Sequence, residues 1–573
     1  MTGPTTIEEK KWGKLGKMMK QEGYAWVHPV VLLPGFVSTS LEVWEAHPEC
    51  QSYTPVGARI WGAMNLAQML QHLRISPKCW IKHMQLDPTT GLDTEHIRVR
   101  SLEGLYGAAT KGQAYWVWNP IVENLIAVGY DTSNMYVATS DWRLSFSNLE
   151  YRDGMMTKMK NAIELFVKRY QQKVVVISHS MGSQLFVFFL KWVESPAGGD
   201  GGPDWVAKHI HANVNIAGAM LGLPKAAASM ASGEFLDTSL LGRISDIVDM
   251  TPFSRLQRVN TYKTWGSLFN LLPKGGNALW GDSDAPAPDD YSYTDACGGF
   301  MLGSTTPLTT DKTHSGEGLP SRVMPNVTVD EMITEFLPTQ FPSMQHHLSN
   351  LSFGYSVTPT DNNDAVFKWA NPLEVALPNA PEMTMYSIYG EGSYTERSYA
   401  YQARDYDESS EDLKYHINFT KSSGRWTAGV CLTTRGDGTV PLTSLGYMSA
   451  TQWRKPSHNP HGVKIVTVEL PHKPHTLYLR GGDYSCGHVD IMGNRDVNRK
   501  LLNIVSGGVE QEAFTSSIRE IGDVIYDRLQ KSVANRAVPN ESEKLRKKAQ
   551  ADERDHARAE HIELKTNDIR EDL

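Results

Sequence analysis

Residues 174–190 constrain the fold of this chain more than any other stretch. Residues 174–177 are a run of β-branched side chains, typical of a strand buried on both faces. Small residues interrupt the run at 178–182, and apolar residues then recur at three- and four-residue steps, which predicts a helix. The stretch therefore predicts a buried strand, a sharp turn and a helix in direct succession.

The turn reads Ser-His-Ser-Met-Gly and resembles the G-x-S-x-G pattern of a nucleophile elbow, with Ser180 at its apex. Such a turn needs small flanking residues because the serine backbone is strained and the strand and helix pass close together. Gly182 meets this need, and Ser178 replaces the first glycine with the next smallest residue. The same pentapeptide also fits a buried strand followed by an ordinary helix, so both interpretations stay open at this point.

Strands and helices alternate around this stretch. Apolar runs predict strands at 27–33, 135–138 and 209–217, and helical periodicity covers residues 155–170. Alternation of this kind predicts an α/β fold with a parallel sheet wound with helices. We assign the α/β-hydrolase domain to residues 26–510.

The alternation weakens at residues 226–424, where Pro, Gly, Ser, Thr and Asp accumulate. We interpret this segment as a large cap or lid insertion in the α/β-hydrolase fold. Strands are predicted again at 426–433 and 464–470, and a helix is predicted to begin near Asn494. Outside the hydrolase domain we expect a polar lead-in at 1–25, an amphipathic C-terminal helix at 511–538 and a charged, disordered tail at 539–573.

Charge and motif content exclude several classes of function. The formal net charge is −8, and no basic block lies near the elbow, which disfavours nucleic-acid binding. No Cys/His set has zinc spacing and no phosphate-binding loop occurs, so we expect neither a metal nor another cofactor. No uninterrupted apolar run of about 18 residues and no signal peptide is visible.

A serine nucleophile needs a base, and the base needs a carboxylate to orient it. In α/β-hydrolases these residues follow the chain order Ser, Asp, His. Ser180, Asp437 and His488 have this order: Asp437 lies between two glycines after a predicted strand, and His488 follows the last predicted core strand. We therefore expect these three residues to form the catalytic triad.

Other residues near these motifs have weaker assignments. We expect His179 to point away from the serine, and His472 and His475 to lie on the surface. Asp490 follows His488 by two positions and is a candidate supporting carboxylate. Asp141 and Arg143 could form an ion pair close to the sheet edge, and a solvated pair is the alternative.

Two backbone N–H groups are candidates for an oxyanion hole. The first predicted strand ends in Pro34-Gly35-Phe36, and a glycine there lets the backbone approach a ligand closely. In an acyl-transfer enzyme Phe36 would supply one N–H, and Met181, directly after the nucleophile, the other. A simple turn that ends the strand explains the same residues.

Residues 40–115 form an irregular region that contains Cys50 and Cys79. Large apolar residues concentrate within it: Trp61, Met64, Leu66, Met69, Leu70, Trp80 and Met84. A flap that touches lipid and ordinary packing under a long loop both account for them.

Motifs spread over residues 27–508 resemble those of the lecithin:cholesterol acyltransferase family, in particular of its members that acylate diacylglycerol. They are Leu-Leu-Pro-Gly (32–35), Leu-Glu-Val-Trp-Glu (41–45), Arg-Ile-Trp-Gly (59–62), Cys-Trp-Ile-Lys-His (79–83), Leu-Asp-Pro-Thr-Thr-Gly-Leu-Asp (86–93), Asp-Trp-Arg-Leu-Ser (141–145), Ser-His-Ser-Met-Gly (178–182), Leu-Gly-Leu-Pro-Lys (221–225), Leu-Pro-Lys-Gly-Gly (272–276), Gly-Asp-Gly-Thr-Val-Pro (436–441) and His-Val-Asp-Ile-Met-Gly (488–493).

The resemblance implies the triad and oxyanion assignments given above, and a Cys50–Cys79 disulfide that closes a membrane-touching loop. It also implies transfer of an acyl chain from a phospholipid to diacylglycerol without acyl-CoA. We therefore expect phospholipid, diacylglycerol and a membrane surface as partners. A phospholipase, a phospholipid:sterol acyltransferase with the same triad, and a non-catalytic lipid-binding protein on the same fold remain alternatives.

The resemblance further implies residence in the endoplasmic reticulum, on the membrane, with a lumenal catalytic domain. Eukaryotic family members of this type usually carry an N-terminal transmembrane helix, which this chain does not show, so truncation and peripheral association stay open. Four glycosylation sequons are consistent with a lumenal location: Asn326, Asn350, Asn418 and Asn540. The pairing of Cys297, Cys431 and Cys486 does not follow from the sequence.

Overall fold

Six parallel strands form the central sheet of the protein. In chain order they are β1 (Val30–Leu33), β2 (Met135–Val137), β3 (Val174–His179), β4 (Ile210–Ile216), β5 (Thr384–Glu391) and β6 (Lys464–Pro471). Their spatial order is β6-β5-β4-β3-β1-β2. Every side chain of β1 and β3 is buried, as expected for a parallel sheet covered on both faces. The predicted α/β-hydrolase fold class is confirmed.

The computed structural model describes residues 12–62, 77–108, 116–236, 254–282, 285–290, 297, 300–302, 326–362, 365–403, 413, 415–478 and 480–537. Its α-helices are Lys14–Gln21, Pro77–Met84, Leu105–Ala108, Asn119–Ala127, Phe146–Asp153, Met155–Tyr170, Met181–Glu194, Trp205–His209, Pro224–Ser232, Arg255–Tyr262, Gly266–Asn270, Gly276–Trp280, Val329–Glu331, Leu337–Gln340, Gln345–Ser349, Leu442–Ala450, Arg495–Val505 and Ile518–Ala537. None of these helices has the length and apolar character needed to cross a membrane.

Two smaller sheets lie outside the central one. Region 40–115, expected to be irregular, contains a three-stranded antiparallel sheet made of Leu41–Glu45, Arg59–Trp61 and Arg98–Ser101. The other sheet contains Met301–Leu302, Thr395–Ala403, Tyr415–Ile417, Trp426–Thr427 and Val430–Thr433. The prediction of one strand at 426–433 is wrong, because Ala428 and Gly429 have φ angles of 46° and 80° and turn the chain into a hairpin.

The predicted insertion at 226–424 contains part of the central sheet. Strand β5 lies between β4 and β6, so it belongs to the core and not to a cap. Its sequence has Thr, Ser and Gly at every third position and ends in Glu, and it therefore lacks the continuous apolar run that indicates a fully buried strand. The structure accommodates these polar groups inside: Ser387 accepts a hydrogen bond from Asn215 of β4 (3.2 Å).

Several sequence expectations lie outside the described residues. They include the charged tail at 539–573 with its sequon at Asn540, and the parts of region 40–115 at 63–76 and 109–115. The C-terminal helix, expected within 511–538, is Ile518–Ala537. The helix expected near Asn494 is Arg495–Val505, and the Asn494 side chain caps it by accepting the N–H groups of Asp496 and Val497.

Close backbone packing holds the helix Met181–Glu194, called the elbow helix below, against the end of β1. A Cβ atom added to Gly182 would lie 2.4 Å from the carbonyl oxygen of Leu33 and 2.7 Å from that of Pro34. Both neighbours are backbone atoms, so a side chain at position 182 would push the helix away from the sheet. The glycine is therefore required by this approach, as the sequence pattern predicts.

Gly182→Ala should lower the free energy of unfolding by roughly 1–3 kcal/mol, because the added methyl group overpacks the contact between helix and strand. Gly354→Ala is the matched control, since an added Cβ there meets its nearest neighbour at 3.6 Å, which is ordinary contact. Thermal unfolding of both variants would measure the difference. Equal melting temperatures for the two variants would contradict this account of the elbow.

Candidate active site

Ser180 occupies the turn between β3 and the elbow helix. Its backbone has φ 57° and ψ −126°, a strained conformation for a residue with a side chain. A hydrogen bond from the Ser180 N–H to the Ile216 carbonyl (3.1 Å) ties the turn to the end of β4. A strained serine between a buried strand and a helix is the geometry of a nucleophile elbow.

Ser178 fills the position where the elbow pattern has its first glycine, and its hydroxyl is completely buried. That hydroxyl accepts hydrogen bonds from Ser183 Oγ (3.0 Å) and Asn213 Nδ2 (3.1 Å). A buried polar group is tolerated when it is hydrogen-bonded. The departure from glycine is therefore compensated by two neighbouring polar side chains.

The structure brings Ser180, His488 and Asp437 together. His488 Nε2 lies 2.8 Å from Ser180 Oγ and accepts its proton in a hydrogen bond, although the residues are 308 positions apart. His488 Nδ1 donates to Asp437 Oδ2 at 2.6 Å. The other Asp437 oxygen accepts the N–H groups of Thr439 (3.0 Å) and Val440 (2.8 Å), which fix the carboxylate. The arrangement can deprotonate the serine and stabilise the resulting imidazolium.

His179 forms a hydrogen bond with the backbone of His488. Its Nε2 donates to the carbonyl of His488 at 2.9 Å, and the His488 N–H donates to the Asp437 carbonyl at 2.8 Å. Burial and the nearby His488 ring lower the pKa of His179 to about 3, so the ring is neutral at physiological pH. The proton must sit on Nε2, since a carbonyl only accepts. Sequence reasoning missed this contact of His179 with His488.

The two candidate oxyanion donors lie beside Ser180. A Cβ atom on Gly35 would be 2.8 Å from Ser180 Cβ and 3.2 Å from the Met181 nitrogen, so the backbone before Phe36 runs against the elbow. Met181 is the first residue of the elbow helix, and N–H groups at that position have no partner within the helix. This geometry makes the N–H groups of Phe36 and Met181 suitable donors to an oxyanion.

Asp141 and Arg143 form a buried ion pair, with Arg143 Nη2 at 2.6 Å from Asp141 Oδ2. Arg152 also binds this carboxylate, at 2.9 Å. Burial would raise the pKa of Asp141, but the two guanidinium groups outweigh it and hold that pKa well below its ordinary value. Arg143 Nη1 donates to the His83 carbonyl (2.7 Å), which joins the core to the helix Pro77–Met84.

Trp142, which lies between Asp141 and Arg143 in the sequence, packs against the side chain of Phe36. Their rings meet edge to face with centroids 5.0 Å apart. Trp142 makes similar contacts with Trp61 (5.2 Å) and Trp265 (5.0 Å), and its indole N–H donates to the Thr39 carbonyl. The buried ion pair and the aromatic cluster therefore fix the loop that carries Phe36.

An apolar cavity of about 360 Å³ opens beside the loops that carry Phe36 and Asp437. Phe36 and Thr439 belong to its lining, which connects it to the oxyanion loop and to the turn that holds Asp437. Most of the remaining wall is aromatic and aliphatic, including Trp61, Trp80 and Trp265. Its size and lining suit a hydrocarbon chain or another apolar ligand.

The structure contains two disulfides, Cys50–Cys79 and Cys297–Cys431, and a buried thiol at Cys486. The thiol accepts a hydrogen bond from Asn494 Nδ2 at 3.2 Å. Burial raises the pKa of Cys486 to about 12, so this residue is protonated and inert although it lies two positions before His488.

The remaining candidate residues lie apart from the reacting groups. Asp490 binds Arg480 (2.6 Å) and does not support His488 directly. His472 is half-buried and accepts the Cys486 N–H through Nδ1, whereas His475 is exposed. Among the described sequons, Asn326 and Asn350 are exposed and Asn418 is half-buried. No group of three or more His, Cys, Asp or Glu in the described chain could hold a metal ion.

Comparison with known proteins identifies relatives over most of the chain. A family model described as lecithin:cholesterol acyltransferase matches residues 57–495. The chain is 36% identical to the phospholipid:diacylglycerol acyltransferase of Schizosaccharomyces pombe, with 89% of this chain and 78% of that protein covered. The enzyme of the same name from Saccharomyces cerevisiae is also 36% identical, with 84% and 70% covered. Phospholipid:diacylglycerol acyltransferase 1 of Arabidopsis thaliana is 34% identical, with 88% and 84% covered.

Asp437→Asn should lower kcat by about four orders of magnitude, because an amide at this position favours the wrong tautomer of His488. Asp490→Asn is the matched control: its carboxylate also lies close to His488 in sequence, but it binds Arg480. We expect that control to keep most of its activity. Similar losses in steady-state kinetics for both variants would contradict the assignment of Asp437.

The buried His179 should make the fold sensitive to acid. Its pKa is about 3 in the folded chain and about 6.5 in the unfolded chain. Between these two values the unfolded chain binds more protons, so the free energy of unfolding decreases as the pH is lowered. The loss should reach about 2 kcal/mol at pH 5. In His179→Gln, the drop in unfolding free energy between pH 7 and pH 5 should be smaller by this amount. Equal drops in denaturant titrations of the two proteins would refute the prediction.

Proposed function

The chain belongs to the lecithin:cholesterol acyltransferase family, and from this membership we propose that it moves a fatty acyl group from a phospholipid to diacylglycerol. The products are triacylglycerol and a lysophospholipid. The observation that carries the proposal is the hydrogen-bonded relay of Ser180, His488 and Asp437 in a chain whose relatives are named for this reaction.

In the first half of the reaction His488 Nε2 takes the proton from Ser180 Oγ as that oxygen attacks the phospholipid ester. Asp437 stabilises the imidazolium through Nδ1, and the charge that develops on the ester oxygen is bound by the N–H groups of Phe36 and Met181. Loss of one such donor typically raises a barrier of this kind by roughly 3–4 kcal/mol. The tetrahedral intermediate collapses when His488 returns its proton to the leaving lysophospholipid oxygen.

In the second half the hydroxyl of diacylglycerol reaches the acyl-enzyme. His488 removes its proton as the oxygen attacks the ester carbonyl at Ser180, and returns this proton to Ser180 when triacylglycerol leaves. Atoms and charges balance over the cycle, and no acyl-CoA is consumed. The choice between diacylglycerol and water as acceptor depends on water exclusion, which the apolar cavity beside Phe36 supports.

We further propose that the protein works at a membrane of the endoplasmic reticulum, with the catalytic domain in the lumen. The two disulfides support an oxidising compartment, and the exposed side chains of Asn326 and Asn350 are accessible to glycosylation there. Region 40–115 is the proposed membrane contact. In the described part of this region the side chains of Trp44 and Val56 are 61% and 70% exposed to solvent. Both residues follow β1 in the chain.

Labelled phosphatidylcholine in mixed micelles should yield triacylglycerol when diacylglycerol is present, and far less free fatty acid. Ser180→Ala should abolish transfer while the melting temperature stays close to that of the wild type. Ser183→Ala, which removes a neighbouring buried hydroxyl that does not contact His488, is the control and should remain active. Free fatty acid or sterol ester as the main product would favour the phospholipase or the sterol acyltransferase instead.

A further inference from the structure

Large side chains project into solvent beside the loops that carry Asp437 and His488. Leu477 is 86% exposed, Tyr394 is 70% exposed and Tyr484 is 51% exposed. We call these three residues the Leu477 patch. Isolated exposed apolar residues are common, but several large ones on loops next to a functional site indicate a surface that is covered in use.

The topology places the patch at the edge of the central sheet that carries the triad. Leu477 and Tyr484 lie in the connection from the end of β6 at Pro471 to His488, and Tyr394 follows the end of β5 at Glu391. In a parallel sheet these carboxyl ends share one edge, and Ser180 follows β3 at the same edge. The Ser393 N–H donates to the Gly436 carbonyl (3.0 Å), so Tyr394 adjoins the Asp437 turn.

Hydrogen bonds hold the connection in its projecting shape. The Lys473 N–H donates to the Tyr484 carbonyl (3.3 Å), and the His475 N–H donates to the Gly481 carbonyl (2.8 Å). The second hydrogen bond is nested inside the first, and Leu477 lies in the short loop that it closes, between positions 475 and 481. Both hydrogen bonds hold the base of this loop together, and the Leu477 side chain is exposed at its tip.

Arg480 anchors the same connection to the body of the protein. Its guanidinium lies 3.7 Å from the ring centroid of Trp116, donates through Nη1 to the Trp116 carbonyl (2.8 Å) and binds Asp490 through Nε (2.6 Å). Asp490 lies two residues after His488, so the anchor joins the projecting connection to the loop that bears the catalytic base.

We propose that the Leu477 patch inserts into the surface of a phospholipid bilayer, as a second membrane contact besides region 40–115. The choice of lipid as occupant rests on the proposed function, because substrates that reside in a bilayer must enter at this edge of the sheet. Tyrosines flanking an apolar tip suit the boundary between acyl chains and headgroups. The exposed Lys473 lies four residues from Leu477, where it can meet lipid phosphates.

Two contacts on the same edge have a geometric consequence for the enzyme. Trp44 and Val56 extend from the chain after β1, whereas the Leu477 patch extends from the chain after β5 and β6. Strands β1 and β6 are separated by β3, β4 and β5, so the two chain segments leave the sheet on opposite sides of β3, the strand that Ser180 follows. When both contacts dock on the membrane, the carboxyl edge of the sheet and its cavity face the bilayer.

Sedimentation with large unilamellar vesicles of dioleoylphosphatidylcholine tests the proposal with the full chain. Leu477→Asp should weaken partitioning at least about tenfold, because a leucine no longer enters the apolar layer. Leu165→Asp is the matched control. Leu165 is an exposed leucine near the end of the helix that leads into β3, at the opposite edge of the sheet, and its variant should partition like the wild type. Equal partitioning of the two variants would overturn the proposal.

A second measurement does not depend on the acidic variant folding. An environment-sensitive fluorophore attached at Leu477→Cys should shift to shorter wavelength when the same vesicles are added, and one at Leu165→Cys should not. The absence of a shift at position 477 would overturn the proposal, and a surface for a protein partner would then be the better explanation.

These readouts separate the proposal from the proposed function, because neither requires turnover. Hydrolysis of a short, soluble p-nitrophenyl ester reports the triad without a membrane, and Leu477→Asp should leave it unchanged. If the wild type binds vesicles through Leu477 but cleaves no ester, the proposed function fails while the docking surface stands. If Leu477→Asp lowers ester hydrolysis as strongly as vesicle binding, the residue acts through the fold and the docking proposal is overturned.

Discussion

The catalytic site is organised around the hydrogen bond between His488 Nε2 and Ser180 Oγ. This bond joins two residues from opposite halves of the chain, and it forms only if β3 and β6 end at the same edge of one parallel sheet. Further contacts hold each partner: the strained elbow holds Ser180, whereas Asp437 holds the His488 ring and His179 holds the His488 carbonyl. The sheet acts as the frame that makes this meeting possible.

Support for the site extends well beyond the triad. Asp141 and Arg143, which form a buried ion pair, flank Trp142 in the sequence, and Trp142 packs on Phe36 and so fixes the loop proposed to bind the oxyanion. Arg143 also reaches the helix that contains Cys79. The core, the oxyanion loop and the proposed membrane-facing region are therefore connected by direct contacts. An apolar cavity lies within this framework, and in the proposed reaction it keeps the acyl chain away from water while the ester at Ser180 exists.

The sequence predicts the parts of this site that depend on local patterns. The β-branched run before Ser180, the small residues around it and the order of Ser180, Asp437 and His488 all follow from known local requirements. The sequence does not predict strand β5, because hydrogen-bond partners for its polar side chains come from a neighbouring strand. Asn215 of β4, for example, donates a hydrogen bond to Ser387. The contact of His179 with His488 was missed for a similar reason: no local pattern links residues 309 positions apart. What could not be predicted is long-range pairing of polar groups.

Rapid-quench mass spectrometry of the peptide containing Ser180 tests whether this residue carries the acyl group from donor to acceptor. With phospholipid supplied and diacylglycerol withheld, we expect an acyl adduct on Ser180 that disappears when diacylglycerol is added and triacylglycerol forms. Formation of triacylglycerol with no adduct on Ser180, or with the acyl group on another residue, would contradict it.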